Sequence, residues 1–452
     1  MLMVLLALLP GCASRPDLAR LYDSAGLDAE QPPVIVIPGL AGSTLVDSRT
    51  GKQFWPGSLG TLAFSNYADL AQISAKERAG DGLVPGALIN GVAGVDFYAD
   101  LLHSLETVGR FKPGVPGQPV ASGDRRRYYV LLYDWRKDNV EAVLKLHALV
   151  EQIRRDYAVP NLRVDIIAHS NGGLIANYYL RYGPRDVLES GEFTPWAEGE
   201  RRIRRLVMLG APNLGAATSL ERLNYGTRMA LRTVPVEVMA TFATPFQTLP
   251  HPLLRPLLDA SGKPLDLDIY DPQLWRQRQW SVFAPDVVDR VRASMPLPAD
   301  GDRAVADLQA TFIHNLHRGE RMQLALSAPL PATSVEVAVF GGDCEPTPDR
   351  AVLLEDARGS RLVFRPAQVD PNRIGEPRKH RDPVLSRLMS EPGDGMVTRN
   401  SQVAREPVAA GHTAAELHML PVSQSFFLCE SHGRLTHNLY FQNNLLYFLL
   451  SR

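Results

Sequence analysis

Short, nearly unbroken apolar runs recur along this chain. Val34–Ile37 and the runs at 129–133, 164–168, 206–209 and 335–340 are rich in β-branched and aromatic residues. Such runs predict strands buried on both faces, as in a parallel sheet, rather than the polar alternation of a half-exposed one. Between several of them lie segments with helical periodicity, at 97–108, 140–157 and 174–182, and an apolar stretch at Leu439–Leu450 predicts a last helix. Strands that alternate with helices predict an α/β fold with a mostly parallel, doubly wound sheet.

Two stretches interrupt the alternation. Residues 43–127 are Gly-rich and carry one expected helix, the one at 97–108. Residues 213–330 hold Pro-punctuated, helix-prone pieces at 220–233 and 286–294, with apolar and aromatic residues that read as exposed. Both are too long for plain loops. The second is read as a helical cap or lid inserted over the functional site, with a separate small domain as the alternative.

Composition narrows the class. With 452 residues, 45% of them apolar and 21% charged, the chain can bury a large core and is not a disordered segment. A net charge of −1 gives no electrostatic case for nucleic acid. The first nine residues are almost wholly apolar, too short a run for a membrane span and typical of a signal peptide. Leu9-Pro10-Gly11-Cys12 resembles a bacterial lipoprotein cleavage box, in which Cys12 becomes lipidated; a plain secretion signal is the alternative. Residues 1–20 are therefore read as signal and tether, and 21–452 as the working domain of an exported, membrane-anchored protein. Cys344 and Cys429 remain, either as a pair or as small buried hydrophobes. No Cys-x-x-Cys spacing exists, so no structural zinc site is expected, and neither a metal site nor a cofactor motif is legible.

The chemistry concentrates after the third long run. The strand at 164–168 leads directly into His169-Ser170-Asn171-Gly172-Gly173 and then into the helix at 174–182. This strand–turn–helix context is that of the nucleophile elbow of α/β-hydrolases, whose tight turn needs small residues two positions either side of the serine. Ala168 and Gly172 meet that need, although glycine is usual at the first position. An oxyanion hole in that fold takes one main-chain N–H from the residue after the nucleophile and one from the loop after an early strand. Pro38-Gly39-Leu40-Ala41-Gly42 follows the first strand, so the donors expected are the N–H groups of Leu40 and Asn171. The fold orders its triad as serine, acid, histidine. Asp394, between Gly393 and Gly395, and Asp343, just past the strand at 335–340, are both candidates for the acid. His432 lies on the loop before the last helix, where the base belongs. His437 is its rival; His412 and His418 suit surface or core roles better.

With these residues in place the chain resembles the lecithin:cholesterol acyltransferase family, which includes lysosomal phospholipases and many bacterial lipases. Val36-Ile37-Pro38-Gly39-Leu40 looks like its oxyanion loop, Tyr133-Asp134-Trp135-Arg136 like its Tyr-Asp-Trp-Arg segment, and Ala168-His169-Ser170-Asn171-Gly172 like its elbow. Phe340-Gly341-Gly342 with Pro346-Thr347-Pro348 resembles its Gly-rich strand end and following loop. Gly393-Asp394-Gly395-Met396-Val397 looks like its acid motif, with methionine in place of threonine, and His432-Gly433-Arg434-Leu435 like its base motif. The resemblance selects Asp394 over Asp343. It implies a catalytic triad of Ser170, Asp394 and His432, a lipid acyl-ester substrate met at a membrane or lipid interface, and hydrolysis with possible O-acyl transfer. Mammalian members close a lid with a disulfide. No cysteine lies between Cys12 and Cys344 here, so that lid is absent or held differently, and Phe54-Trp55-Pro56 in the corresponding insert is the expected lipid contact. A polyester depolymerase, an inositol deacylase and a hydrolase-fold binding protein without activity are the alternatives. Cys344 and Cys429 both fall past carboxyl ends of strands, and Cys429 precedes His432 by three residues, so a disulfide stiffening that loop is expected.

Overall fold

The computed structural model describes residues 17–23, 30–65, 67–92, 95–189, 191–229, 232–356, 359–369, 383–405 and 417–451. The lipoprotein reading at Cys12, and His412, lie outside the described residues.

Seven strands form the central sheet: β1 (Val34–Ile37), β2 (Lys112–Pro113), β3 (Arg127–Val130), β4 (Val164–His169), β5 (Ile203–Leu209), β6 (Glu336–Gly342) and β7 (Val422–Leu428). Their spatial order is β7-β6-β5-β4-β1-β3-β2, and every neighbouring pair is parallel. This is the parallel, doubly wound sheet expected of the apolar runs, in the α/β-hydrolase arrangement expected from the elbow. The pleat explains why those runs do not alternate. Ile35 and Ile37 of β1 pack on one face against the helices α2 (Asn139–Asp156) and α3 (Asn171–Tyr182), while Val34 and Val36 pack on the other against α1 (Ala99–Thr107) and α6 (Leu439–Leu450). Both faces are covered, so every position of β1 is buried. The helix ends follow local chemistry: the Asp138 carboxylate accepts the Val140 N–H to cap α2, and Arg154 and Arg155 sit in its last turn.

The run at 129–133 is shorter as a strand than expected. β3 ends at Val130, and Leu131 still donates to the Val36 carbonyl at 2.9 Å before the chain leaves the sheet. The insert at 43–127 also holds more than one helix. It contains a three-stranded antiparallel sheet of Ser43–Asp47, Gln53–Trp55 and Leu83–Leu88, and a short helix at Leu59–Phe64.

The stretch at 213–330 needs two corrections. The helical piece expected at 220–233 is instead α4 (Ala217–Tyr225) followed by a hairpin of Thr227–Met229 with Arg232–Val234. Gly226 turns the chain at φ 73°, where a side chain would meet the Val234 carbonyl. The aromatic residues that read as exposed are buried: Phe246, Trp275, Trp280 and Phe312 form their own core, with Trp275 and Phe246 each 4.9 Å from the Phe312 ring. They pack around α5 (Pro298–Ser327), a 30-residue helix. The periodicity of α5 was masked by Pro298, which opens the helix at its first turn rather than breaking it. Gly319 hid it further. That glycine lets α5 pass against the Phe246 carbonyl, closer than any side chain allows.

Candidate active site

The chain order reverses between β1 and β4, which lie side by side. In open α/β sheets the crevice beyond the carboxyl ends at such a reversal is where ligands bind. β4 runs into Ser170, held at φ 55° and ψ −126°, a conformation costing about 1–3 kcal/mol for a residue with a Cβ. The turn is closed by the Ser170 N–H on the Leu209 carbonyl at 2.8 Å and the Gly173 N–H on the Ser170 carbonyl at 2.9 Å. Gly172 allows α3 to start there, because a Cβ would stand 2.6 Å from the Ile37 oxygen of β1.

Three residues expected from the sequence meet at this point. His432 Nε2 is 2.9 Å from Ser170 Oγ, and His432 Nδ1 is 2.7 Å from Asp394 Oδ2. Asp394 is buried, and its Oδ1 is occupied as acceptor by the Met396 and Val397 N–H groups at 3.0 and 2.8 Å, which leaves Oδ2 to accept from His432. His432 Nδ1 is then the donor to Asp394, which leaves Nε2 free to accept the Ser170 hydroxyl. The surrounding loops are tied to each other. The His432 N–H donates to the Asp394 carbonyl at 2.9 Å, and Thr347 Oγ1 accepts the Gly395 N–H at 2.9 Å. Cys344 and Cys429 are disulfide-bonded, joining the end of β6 to the loop that carries His432. Gly342 leaves room for this loop, since a Cβ there would strike the Glu430 carbonyl.

The rival residues lie elsewhere. His437 pairs with Asp100 at 2.5 Å near the surface, His418 donates its N–H to the Ser327 carbonyl, and the His432 imidazole bonds Asp394 and not Asp343.

Leu40 and Asn171 both line the cavity in front of Ser170, and among the described residues neither main-chain N–H has an acceptor. The Asn171 N–H is one of the first in α3, which have no partner within a helix. The loop bearing Leu40 is clamped from two sides. Tyr133 donates to the Pro38 carbonyl at 2.9 Å, and the Gly39 N–H donates to the Tyr98 hydroxyl at 2.9 Å. Behind Tyr133, the fully buried Arg136 is neutralised by Asp134 and Asp81 at 2.7 and 2.6 Å, and Trp135 donates to the Ser43 carbonyl at 3.0 Å.

Two residues of this site went unassigned in the sequence. Tyr98 Oη is 2.8 Å from His169 Nδ1, and His169 Nε2 is 3.2 Å from the His432 carbonyl. That carbonyl can only accept, so Nε2 carries the proton and Nδ1 accepts from Tyr98. Burial pushes the His169 imidazole down to about 3 and raises the Tyr98 phenol, so both stay neutral at working pH. The position of His169 next to Ser170 was a signal that could have been read; nothing in the sequence marks Tyr98.

The cavity itself holds about 470 Å³. Leu40, Ala41, Trp55, Pro56, Ile89 and Phe97 give it apolar walls, while Thr218, Arg222, Thr227 and Arg228 contribute from the 213–330 stretch. Trp55 is therefore in place for an apolar ligand, pinned by its indole N–H on the Ala41 carbonyl at 2.8 Å. Among the described residues, no helix is long and apolar enough to cross a membrane.

Sheet, elbow and crevice together define the α/β-hydrolase fold class. Within that class, residues 123–257 match the family model of lecithin:cholesterol acyltransferase, a stretch that runs from β3 through the elbow into the 213–330 region. No curated protein matches the chain. Among solved structures, a chain of the Tle4–Tli4 complex is similar at 15% identity with a TM-score of 0.53, over 93% of this chain and 98% of that one. Staphylococcus hyicus lipase is similar at 12% identity and a TM-score of 0.37, over 93% of this chain and 96% of that one. Lipase 1 from Pelosinus fermentans is similar at 10% identity and 0.32, over 93% and 99%.

Proposed function

We propose that this protein is an exported serine hydrolase of lipid acyl esters, with Ser170 as nucleophile, His432 as general base and Asp394 as the acid that orients it. The observation that carries the reading is the unbroken line from Ser170 Oγ through His432 to Asp394, at 2.9 and 2.7 Å, opening into an apolar cavity. His432 takes the hydroxyl proton as Oγ attacks the ester carbonyl carbon. The N–H groups of Leu40 and Asn171 stabilise the oxyanion. The intermediate collapses, the bond to the alcohol oxygen breaks, and His432 gives its proton to the departing alcohol. Water, deprotonated by His432, then attacks the acyl-enzyme and releases the fatty acid.

The same machinery serves water or an alcohol as acceptor, so it does not choose between them. Hydrolysis needs no second binding site and is the main reaction proposed, with transfer to long-chain alcohols as a side reaction. Residues 213–330 act as a cap on the cavity. The family match at 123–257 supports a lipid ester as substrate. The disulfide supports export to an oxidising compartment. The test is labelling by a serine-reactive alkyl phosphonate, followed by mapping of the labelled peptide. Label on Ser170 with loss of ester hydrolysis is expected; label elsewhere, or none, overturns the reading.

A further inference from the structure

We infer that Arg222 binds an anionic group of the substrate, a phosphate or a carboxylate, inside the cavity that holds the ester. This rests on the reading of that cavity as an ester-hydrolase site. Arg222 lies on α4 one turn beyond Thr218, and both line the cavity. Thr218 Oγ1 donates to the Met396 carbonyl at 2.9 Å, which fixes α4 against the loop of Asp394. The only partner of the Arg222 guanidinium among the described residues is the Met396 sulfur, at 3.7 Å, a weak acceptor. No carboxylate pairs with it. The Glu221 carboxylate acts on it only through space and is itself paired with Arg365 at 2.7 Å, so no anion contacts the Arg222 guanidinium among the described residues.

Buried guanidinium groups elsewhere in this protein have their hydrogen bonds filled: Arg181, which also lacks a carboxylate, donates to the Asn177 side chain and to the Ala328 and His418 carbonyls. Arg136 has Asp81 and Asp134, and Arg318 has Asp138, Asp186 and Glu189. A desolvated cation without an anion is unfavourable, and the planar fork of arginine fits a phosphate or carboxylate with two parallel hydrogen bonds. Burial pushes Arg222 down to about 10, which leaves it a cation at neutral pH. With Leu40, Trp55 and Ile89 forming apolar wall in the same cavity, the ligand that satisfies both is an amphiphile, an acyl chain joined to an anionic head.

Binding without turnover tests this in the Ser170→Ala protein, so the outcome does not depend on whether Ser170 is the nucleophile. Hexyl phosphate, hexanoate and hexanol are titrated by calorimetry. At least one anion is expected to bind about tenfold or more tighter than hexanol, a preference kept by Arg222→Lys and lost by Arg222→Gln. Tighter binding of hexyl phosphate than of hexanoate assigns a phosphate-bearing substrate, and the reverse assigns a carboxylate. Hexanol binding as tightly as both anions, or Arg222→Gln retaining the preference, overturns the inference. Should Arg222→Gln fail to fold, the salt dependence of the preference with Arg222 intact decides: it must shrink at high ionic strength, and a salt-independent preference overturns the inference.

Discussion

The imidazole of His169 donates from Nε2 to the main-chain oxygen of His432 at 3.2 Å, so the residue before the proposed nucleophile holds the loop of the proposed base. Through Nδ1 the same ring accepts from Tyr98, whose oxygen accepts the Gly39 N–H beside Leu40. One neutral chain therefore ties together the loops bearing the proposed oxyanion donor, nucleophile and base. Tyr98→Phe removes its middle and leaves two buried groups unpaired, a loss of about 1–3 kcal/mol. A fall in kcat of about tenfold or more, with KM changed far less, is expected if that loss is felt in the transition state. Because His169 stays neutral, the acid limb of the kcat/KM profile should not move in His169→Gln. Equal changes in kcat and KM, or a shifted limb, would count against the positioning role.

Ser170→Ala should lower ester hydrolysis by about three orders of magnitude or more while leaving the fold intact, and His432→Ala should be about as damaging, since such residues act as a unit. Asp394→Asn should also cost several orders of magnitude through the wrong imidazole tautomer. His437→Ala and Asp343→Asn should be mild. Activity that survives His432→Ala but not His437→Ala, measured on a p-nitrophenyl ester, reverses the proposed base.

What was legible followed from burial and backbone geometry. β1, β4 and α3 show in the sequence because a strand covered on both faces must be apolar throughout, and a tight turn must have small flanks. Ser170 and His432 were legible because the elbow and the loop before the last helix fix their places, whereas chain order admits Asp343 as well as Asp394, and only the family resemblance chose between them. The clamp was not, because a hydrogen bond from Tyr98 to His169, across 71 positions, leaves no local period. The core around Phe312 misled for a related reason: its partners Phe246 and Trp275 are scattered through short Pro-bounded helices, so each looks exposed alone. Arg222 has no signature either, since an arginine without a counter-ion is recognisable only once its neighbours are known.

Both cysteines of the disulfide are exposed, so a mild reductant should reach it. It closes a long loop and anchors the segment three residues before His432, so reduction should cost about 2–4 kcal/mol of stability. Urea unfolding with and without reductant measures that cost. Activity on a soluble ester should fall before the protein unfolds. Unchanged activity in reduced, still folded protein would show that the loop is held by its hydrogen bonds alone.

The helix Leu59–Phe64 packs beside the hairpin strand Arg232–Val234, and Phe64 at its end is 79% exposed. A large apolar side chain held in solvent near the strands flanking the cavity suits contact with a lipid surface. Hydrolysis of a short ester should therefore rise when its concentration passes the micellar threshold, and Phe64→Ser should reduce that rise more than it reduces the rate below threshold. Kinetics continuous through the threshold would remove support for a lipid-facing cap.

Acid should destabilise the fold through its buried histidines. Besides His169, His251 is buried with Nε2 2.8 Å from Ser327 Oγ, and burial pushes its imidazole down to about 4. The unfolded chain binds a proton at each of these sites near the usual histidine value, and the folded protein does not. Their contribution to stability is thus complete above about pH 6.5 and is lost as pH falls from there toward 4, at about 1.4 kcal/mol per pH unit for each ring. Asp349 opposes them. Burial and the nearby Glu391 raise its carboxyl to about 6, so the folded state takes up that proton first and regains stability over part of the same range. Replacing one histidine isolates its share. In His251→Gln, urea unfolding between pH 6 and 4.5 should show a stability slope shallower than that of the parent by about 1.4 kcal/mol per unit. Parallel slopes would mean that His251 is protonated in the folded protein and its burial is relieved by local opening.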